Sequence, residues 1–256
     1  MKNFKRATLL NIAWAAVAIV IIFIVWLIAY ACVKNDYVVP DIGSTFAAFA
    51  ELFTQSSFYS AFGNTFLRTL ISFAVSFVLA AALASVSAVC RPFRTVFAFI
   101  ISILRTLPTM AITLMLLIWT NPRVAPAIVT ALVLFPMVYS QFVAAIDGVD
   151  PGLLQMAQVY RVSPREKLTK IILPSVGSEV GAQIGAGLSL GIKIMVSAEV
   201  LSYTLNSLGG IMQQARLYAE MPRFAALTIV CIITGLVFEL LTYCLNMAFS
   251  RRRGGR

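Results

Sequence analysis

Residues 150–174 read DPGLLQMAQVYRVSPREKLTKIILP, a polar stretch set between long apolar runs. Asp150 followed by Pro151 is a helix start: a carboxylate that caps, then a proline at the first helical position, where its missing N–H costs nothing. Ser163, Pro164 and Glu166 form a second start, with Ser163 as cap and Glu166 reaching back to close a capping box. The stretch therefore reads as two short helices with a bend near Arg161 to Ser163. Leu173 and Pro174 end the second helix and open the next apolar run. On local features two readings stand: a knob that docks on a partner, or an ordinary loop carrying two solvated helices.

Composition sets the surroundings of this stretch. The chain has 256 residues, of which 60% are hydrophobic and only 12% charged. A soluble domain is about half apolar with about a quarter of its residues charged. A buried core cannot absorb that excess, whereas a bilayer can. A span needs about 20 mostly apolar residues, and six runs qualify: 12–33, 62–89, 96–119, 124–146, 176–201 and 224–249. The first is too long for the apolar core of a signal peptide. Cys32, Val33 and Lys34 do not form a small-residue cleavage site, so that run reads as a retained anchor.

The net charge of +10 is distributed, not clustered. Lys2, Lys5 and Arg6, then Arg91 and Arg94, then Arg161, Arg165, Lys167 and Lys170, then Arg251, Arg252, Arg253 and Arg256 all fall on one side of six spans. The opposite side holds Lys34, Arg123, Arg216 and Arg223. This is the positive-inside asymmetry, and it places both termini and the polar stretch in the cytoplasm. Some of these cations sit where anionic lipid would meet them. No recognition module accompanies them, which argues against nucleic acid. Histidine is absent, and the four cysteines show no metal-ligand pairing, so an enzyme or metal site has little to build on.

Between the runs, Val39, Pro40 and Asp41 mark a turn, and Phe46, Phe49, Leu52 and Phe53 recur at helical spacing. They predict a short outer helix lying at the interface or packed on the bundle. The second run is rich in small residues, which let helices approach closely. Pro108 should kink the third run, with the part before it near the cytoplasmic interface and the part after it crossing. Arg105 beside that kink calls for water or an acidic partner. Gly177, Gly181 and Gly185 form a close-contact stripe on the fifth run. Lys193 and Glu199 on the same run are six residues apart, which is not a neighbour spacing on a helix. Glu239 lies in the last run. No internal repeat appears.

Taken together, these segments resemble the membrane-spanning permease subunits of type I ABC importers, most closely the nitrate/sulfonate/taurine branch, which includes pyrimidine-precursor permeases. That family carries Glu-Ala-Ala, a Gly six residues after the Glu, and Ile-x-Leu-Pro after nine further residues. Here the positions hold Gln155, Met156 and Ala157, then Arg161, then Ile171, Ile172, Leu173 and Pro174. The spacing matches throughout, and the residues match at Ala157, Ile171, Leu173 and Pro174. Further points of similarity are Val39-Pro40, Asn64-Thr65-Phe66-Leu67-Arg68, Leu104-Arg105-Thr106-Leu107-Pro108, Val149-Asp150-Pro151, and Glu199 with Leu208-Gly209-Gly210. In the family the glycine ends the first short helix in a left-handed conformation. Arginine in that conformation costs about 1 kcal/mol. Either the bend is remodelled or Arg161 gains a contact on the partner.

The resemblance implies an all-α membrane protein of six transmembrane helices, with a cytoplasmic coupling helix pair between helices 4 and 5. It divides the chain into 1–60 (tail, first span and outer segment), 61–249 (the transport domain, with coupling region 150–174) and 250–256 (basic tail). It implies a non-catalytic subunit of a bacterial inner-membrane importer that works as a homodimer with a separate ATPase subunit and an extracytoplasmic solute-binding protein. ATP and Mg would sit on the ATPase, and no cofactor on this chain, which lacks a Gly-x-x-x-x-Gly-Lys-Ser/Thr loop. Coupling candidates are Gln155, Met156, Ala157, Val159, Tyr160, Arg161, Ser163, Arg165, Glu166, Leu173 and Pro174. Gate or interface candidates are Glu199, Lys193, Arg68 and Arg105; for Glu199 a gate and a packing ion pair with Arg68, Arg105 or Lys193 both remain open. The rival reading is an ATP-independent channel or secondary transporter, which has no evident need for the cytoplasmic helix pair.

Overall fold

Five of the six apolar runs fold as unbroken helix and the third as two helices, the expected outcome where lipid offers no hydrogen-bond partner to an irregular backbone. The computed structural model describes residues 2–35 and 37–253. Arg256 lies outside these residues, as do the side chains of Lys2, Lys5, Arg6, Pro174, Arg251, Arg252 and Arg253. The chain divides into two compact units, one joining Met1–Gln55 with Gln214–Thr228, the other joining Ser56–Gln213 with Ile229–Arg256.

The first unit holds α1 (Lys2–Val33) and α2 (Ile42–Leu52). Asp41 caps α2 by accepting the Ser44 N–H at 3.0 Å. The turn before it is pinned by the Trp26 indole N–H, which donates to the Pro40 carbonyl at 3.0 Å. Phe23 stacks on both Trp26 and Phe46. On α2, Leu52 is buried while Phe46, and Phe53 just past its end, stay exposed, so the apolar residues at helical spacing do not share one environment.

The second unit begins with α3 (Ser56–Val89), α4 (Arg91–Thr106), α5 (Thr109–Trp119) and α6 (Ala125–Asp147). It continues through α7 (Pro151–Val159), α8 (Pro164–Glu166), a π-helical segment (Lys167–Ile172) and α9 (Leu173–Leu201). The helices α10 (Leu208–Leu217) and α11 (Met221–Arg253) follow, with Gln214–Thr228, the end of α10 and the start of α11, counted in the first unit.

Three helices, α3, α6 and α9, pack on one another and form the core. Small residues set their spacing: Ala80 and Ala84 on α3 and Ala125 on α6 are fully buried. Hydroxyls then bridge the helices, Ser72 donating to the Ala127 carbonyl at 2.9 Å and Ser76 to the Ala131 carbonyl at 2.8 Å. Such interhelical bonds contribute roughly 0.6 kcal/mol each in a membrane. Gly191 of α9 lets Thr69 and Leu134 approach to within 3.2 and 3.3 Å of where a Cβ would lie. Of the predicted glycine stripe, Gly181 and Gly185 face Asn246, Thr242 and the Glu239 backbone of α11, whereas Gly177 has open space.

Among the described residues, Ser56–Val89, Ala125–Asp147, Gln183–Leu201 and Met221–Cys244 are long and apolar enough to cross a membrane. The third run is not one helix. It breaks at Leu107 and Pro108, and α4 and α5 meet at 91°. Leu107 takes an extended conformation, φ −68° and ψ 126°, because a residue preceding proline is driven out of the helical region. With 11 residues, α5 is about 16 Å long, roughly half the hydrocarbon core. The arm after Pro108 therefore does not cross on its own length, as the sequence had suggested. The pair adds a fifth span only if both arms count as one. In α1, Val17–Val33 is a shorter apolar helix.

Candidate functional site

Two constellations emerge, one in the polar stretch and one at membrane level. In the polar stretch, the Asp150 carboxylate accepts the Gly152 N–H at 2.8 Å and opens α7 as predicted. The helix ends in a left-handed turn at Arg161, φ 50°. Around it the Tyr160 N–H donates to the Met156 carbonyl and the Val162 N–H to the Ala157 carbonyl, a closing pattern that asks for φ above zero. The family's glycine conformation is thus kept with an arginine in place; the bend is not remodelled.

Ser163 then caps α8, its hydroxyl accepting the Glu166 N–H at 3.3 Å. The reciprocal half of the capping box differs from expectation. The Glu166 carboxylate accepts from the Ser163 hydroxyl at 3.1 Å, not from its backbone N–H. Lys170 donates to the same carboxylate at 2.8 Å. Lys170, then Ser163, hold the Glu166 carboxyl below its ordinary range. The second helix also does not stop at Leu173 and Pro174. It widens into π-helix over Lys167–Ile172 and runs straight into α9. Pro174 has no N–H to give. The wider turn, with the Leu173 N–H donating five residues back to the Leu168 carbonyl, carries the backbone past that missing bond.

The coupling candidates divide by burial. Gln155, Arg161, Ser163, Arg165, Glu166 and Leu173 are exposed, and Met156, Val159 and Tyr160 expose 49%, 79% and 77% of their surface. Ala157 is 3% exposed, and α7 packs against the π-helical segment. Its place in a docking face is therefore not available: a charge at Ala157 would test packing within the chain. The apolar exposed side is carried by Met156, Val159 and Tyr160.

At membrane level, Glu199 is fully buried. Its Oε1 accepts from Arg68 Nη1 at 3.1 Å. Its Oε2 accepts from the Thr65 hydroxyl at 2.8 Å and the Gly209 N–H at 3.2 Å. Thr65 in turn accepts the Leu208 N–H at 2.9 Å. The carboxylate thus closes the start of α10, where free N–H groups and the helix dipole favour an anion. Only glycine fits at 209, since a Cβ would lie 2.7 Å from the Val196 carbonyl oxygen and the Val200 nitrogen. The preceding loop is tied down as well: Thr204 donates to the Pro122 carbonyl at 2.6 Å, and the Gly210 N–H donates to Ser207 at 2.9 Å.

Of the three cations open as partners of Glu199, the structure brings only Arg68 to it. Arg105 points Nη2 toward the Pro136 carbonyl at 3.5 Å. Lys193 is exposed and makes no ion pair among the described residues. A pair that sequence reading missed joins Arg94 Nη1 to Asp147 Oδ1 at 2.9 Å, tying the start of α4 to the end of α6. The excess of cations on that side hid it, since Asp147 stands 53 residues from Arg94 along the chain.

Residues 77–255 match the family of binding-protein-dependent transport system inner membrane components. No curated protein sequence matches the chain significantly. Among solved structures, an amino acid ABC transporter with histidines aligns with TM-score 0.62 at 18% identity, covering 81% of this chain and 96% of that one. A bacterial ABC transporter involved in the import of the acidic polysaccharide alginate aligns with TM-score 0.64 at 17% identity, covering 92% and 96%. The bacterial alginate transporter in complex with a pentasaccharide-bound periplasmic protein aligns with TM-score 0.60 at 16% identity, covering 90% and 92%. The family match spans well over half of the chain, and the likeness in fold extends over nearly all of it. The chain belongs to the family of binding-protein-dependent transport system inner membrane components, the non-catalytic permease subunits of type I ABC importers.

Proposed function

We propose that this chain is the permease of an importer in the nitrate/sulfonate/taurine or pyrimidine-precursor branch, working as a pair of identical subunits. It crosses the membrane six times with both termini in the cytoplasm. Residues 150–174 dock in a groove on a separate ATPase subunit, which holds the ATP and Mg. An extracytoplasmic binding protein delivers the solute, as the periplasmic protein in the alginate complex suggests by analogy. Closure of the ATPase pair draws the docked helices together and switches the bundle between its inward and outward openings.

The observation that carries this reading is the exposed apolar side of α7. Met156, Val159 and Tyr160 lie bare on a helix flanked by polar sequence, and exposed apolar groups rimmed by polar ones mark interaction surfaces. Arg161 and Arg165 flank this side and are placed to meet acidic groups at the groove's rim; each exposed pair there is worth at most about 1 kcal/mol. The test is a detergent pull-down of the tagged chain from its native membrane. Capture of an ATPase subunit by the native chain, lost in Tyr160→Asp while that variant stays monodisperse, supports the reading. Retention of the ATPase by Tyr160→Asp removes the docking assignment. Solute movement by the chain alone in ATP-free liposomes favours the channel or carrier.

A further inference from the structure

One face of α9 is out of keeping with its surroundings. Ile192, Met195, Val196, Ala198 and Glu199 are buried. The opposite face exposes Gln183, Ala186, Lys193 and Ser197, with Leu190 half-buried between them. Their spacings of three, four, three and four residues align them in one stripe. Lys193 lies seventeen residues from Val176 and eight from Leu201, the two ends of the apolar run. At 1.5 Å per residue that is about 26 Å and 12 Å along α9, too deep for the stem to lift its ammonium to either interface.

No carboxylate neutralises it among the described residues. Glu199 is committed to Arg68, Thr65 and Gly209, and Asp147 to Arg94. The Glu239 backbone lies against Gly185, eight residues from Lys193 toward the cytoplasmic end, about 12 Å along α9. An unpaired ammonium at mid-depth is expelled by lipid and persists only where it meets water. The rest of the stripe fits a wet wall. Gln183 accepts a long hydrogen bond from Gln141 of α6 at 3.4 Å, which continues the polar surface inward. Ser197 continues it outward.

We propose that this stripe lines the solute path, that Lys193 is its anion-attracting residue, and that the solute is a small anion bearing a carboxylate, sulfonate or inorganic oxyanion. This rests on the permease reading and adds the chemical class of its cargo. A fixed cation on a low-dielectric wall focuses its field into the adjoining water and concentrates anions there. Amide and ammonium N–H groups complement the acceptor-only oxygens of such an anion. A cationic solute would be repelled at the same point.

The stripe is tested without knowing the solute. In the full chain in membrane vesicles, Cys32, Cys90, Cys231 and Cys244 are changed to Ser, and Ser197→Cys supplies one thiol. Its rates of modification by anionic sulfonatoethyl and cationic trimethylammonioethyl methanethiosulfonate are compared from both sides of the membrane. The ratio of anionic to cationic rates should fall about tenfold when Lys193→Gln is added, and Lys193→Arg should restore it. A thiol unreactive to both reagents, which means a face covered by lipid or by a second copy, overturns the proposal. So does a ratio that Lys193→Gln leaves unchanged. Neither reagent depends on ATPase docking, so failure here is distinct from failure to capture the ATPase.

Discussion

Arg161 holds a φ of 50° at a position where glycine would carry no steric penalty. The left-handed conformation costs a non-glycine residue roughly 1–2 kcal/mol. Arg161→Gly should therefore stabilise the turn by about 1 kcal/mol, read as slower amide exchange at residues 160–162; unchanged exchange would remove the strain argument. The same variant should weaken ATPase capture if the guanidinium meets an acidic rim. Further along the same stretch, the depressed Glu166 carboxyl gives a pH rule. Its contribution to the second helix start is complete above the ordinary carboxylate pKa of about 4.3 and is lost only as pH falls through the lower folded value. Lys170→Met should shift the Glu166 titration midpoint upward, followed by its carboxyl carbon resonance. A midpoint that stays put would assign the depression to Ser163 alone.

At the scale of elements, the Glu199 constellation works as a clamp joining α3, α9 and the start of α10. Removing one member of a buried ion pair leaves the other uncompensated, at about 3–5 kcal/mol. Glu199→Gln should accordingly lower the thermal midpoint in detergent and reduce assembled protein. A variant that keeps its midpoint yet alters transport would return Glu199 to a gating role. Gly209→Ala should cost about 1–3 kcal/mol by overpacking, because Val196 and Val200 present backbone, not a yielding side chain. The helix starts at Asp150 and Ser163 were legible because capping is local chemistry. Which side of α7 faces out was not. Leu153, Leu154, Met156, Ala157 and Val159 spread apolar groups around a nine-residue helix that Tyr160 closes, and packing alone buried Ala157. The partner of Glu199 was equally hidden, since Arg68 stands 131 residues away. Spacing excluded Lys193 as a helical neighbour but left Arg105 open.

Across the whole molecule, composition and run length sufficed to give a helical membrane protein, and the order of motifs sufficed for the family. They placed the kink of the third run at Pro108 but not its extent, because a proline within an apolar stretch signals a kink without its size, and 91° makes it two arms. The orientation proposed from the basic segments can be tested at exposed Cys90 between α3 and α4. With Cys90 as the single remaining cysteine, a membrane-impermeant maleimide should label inside-out vesicles and spare right-side-out spheroplasts. The reverse pattern would invert the assignment. From 164 to 201 the backbone runs as helix without a loop, a rod roughly 57 Å long, gripped near its far end by Glu199. Such a rod transmits torque as well as displacement. Under the proposed coupling, a push of a few ångströms at residue 164 would become a tilt about Glu199, and a slack linker inserted near residue 172 would act as a slipped clutch.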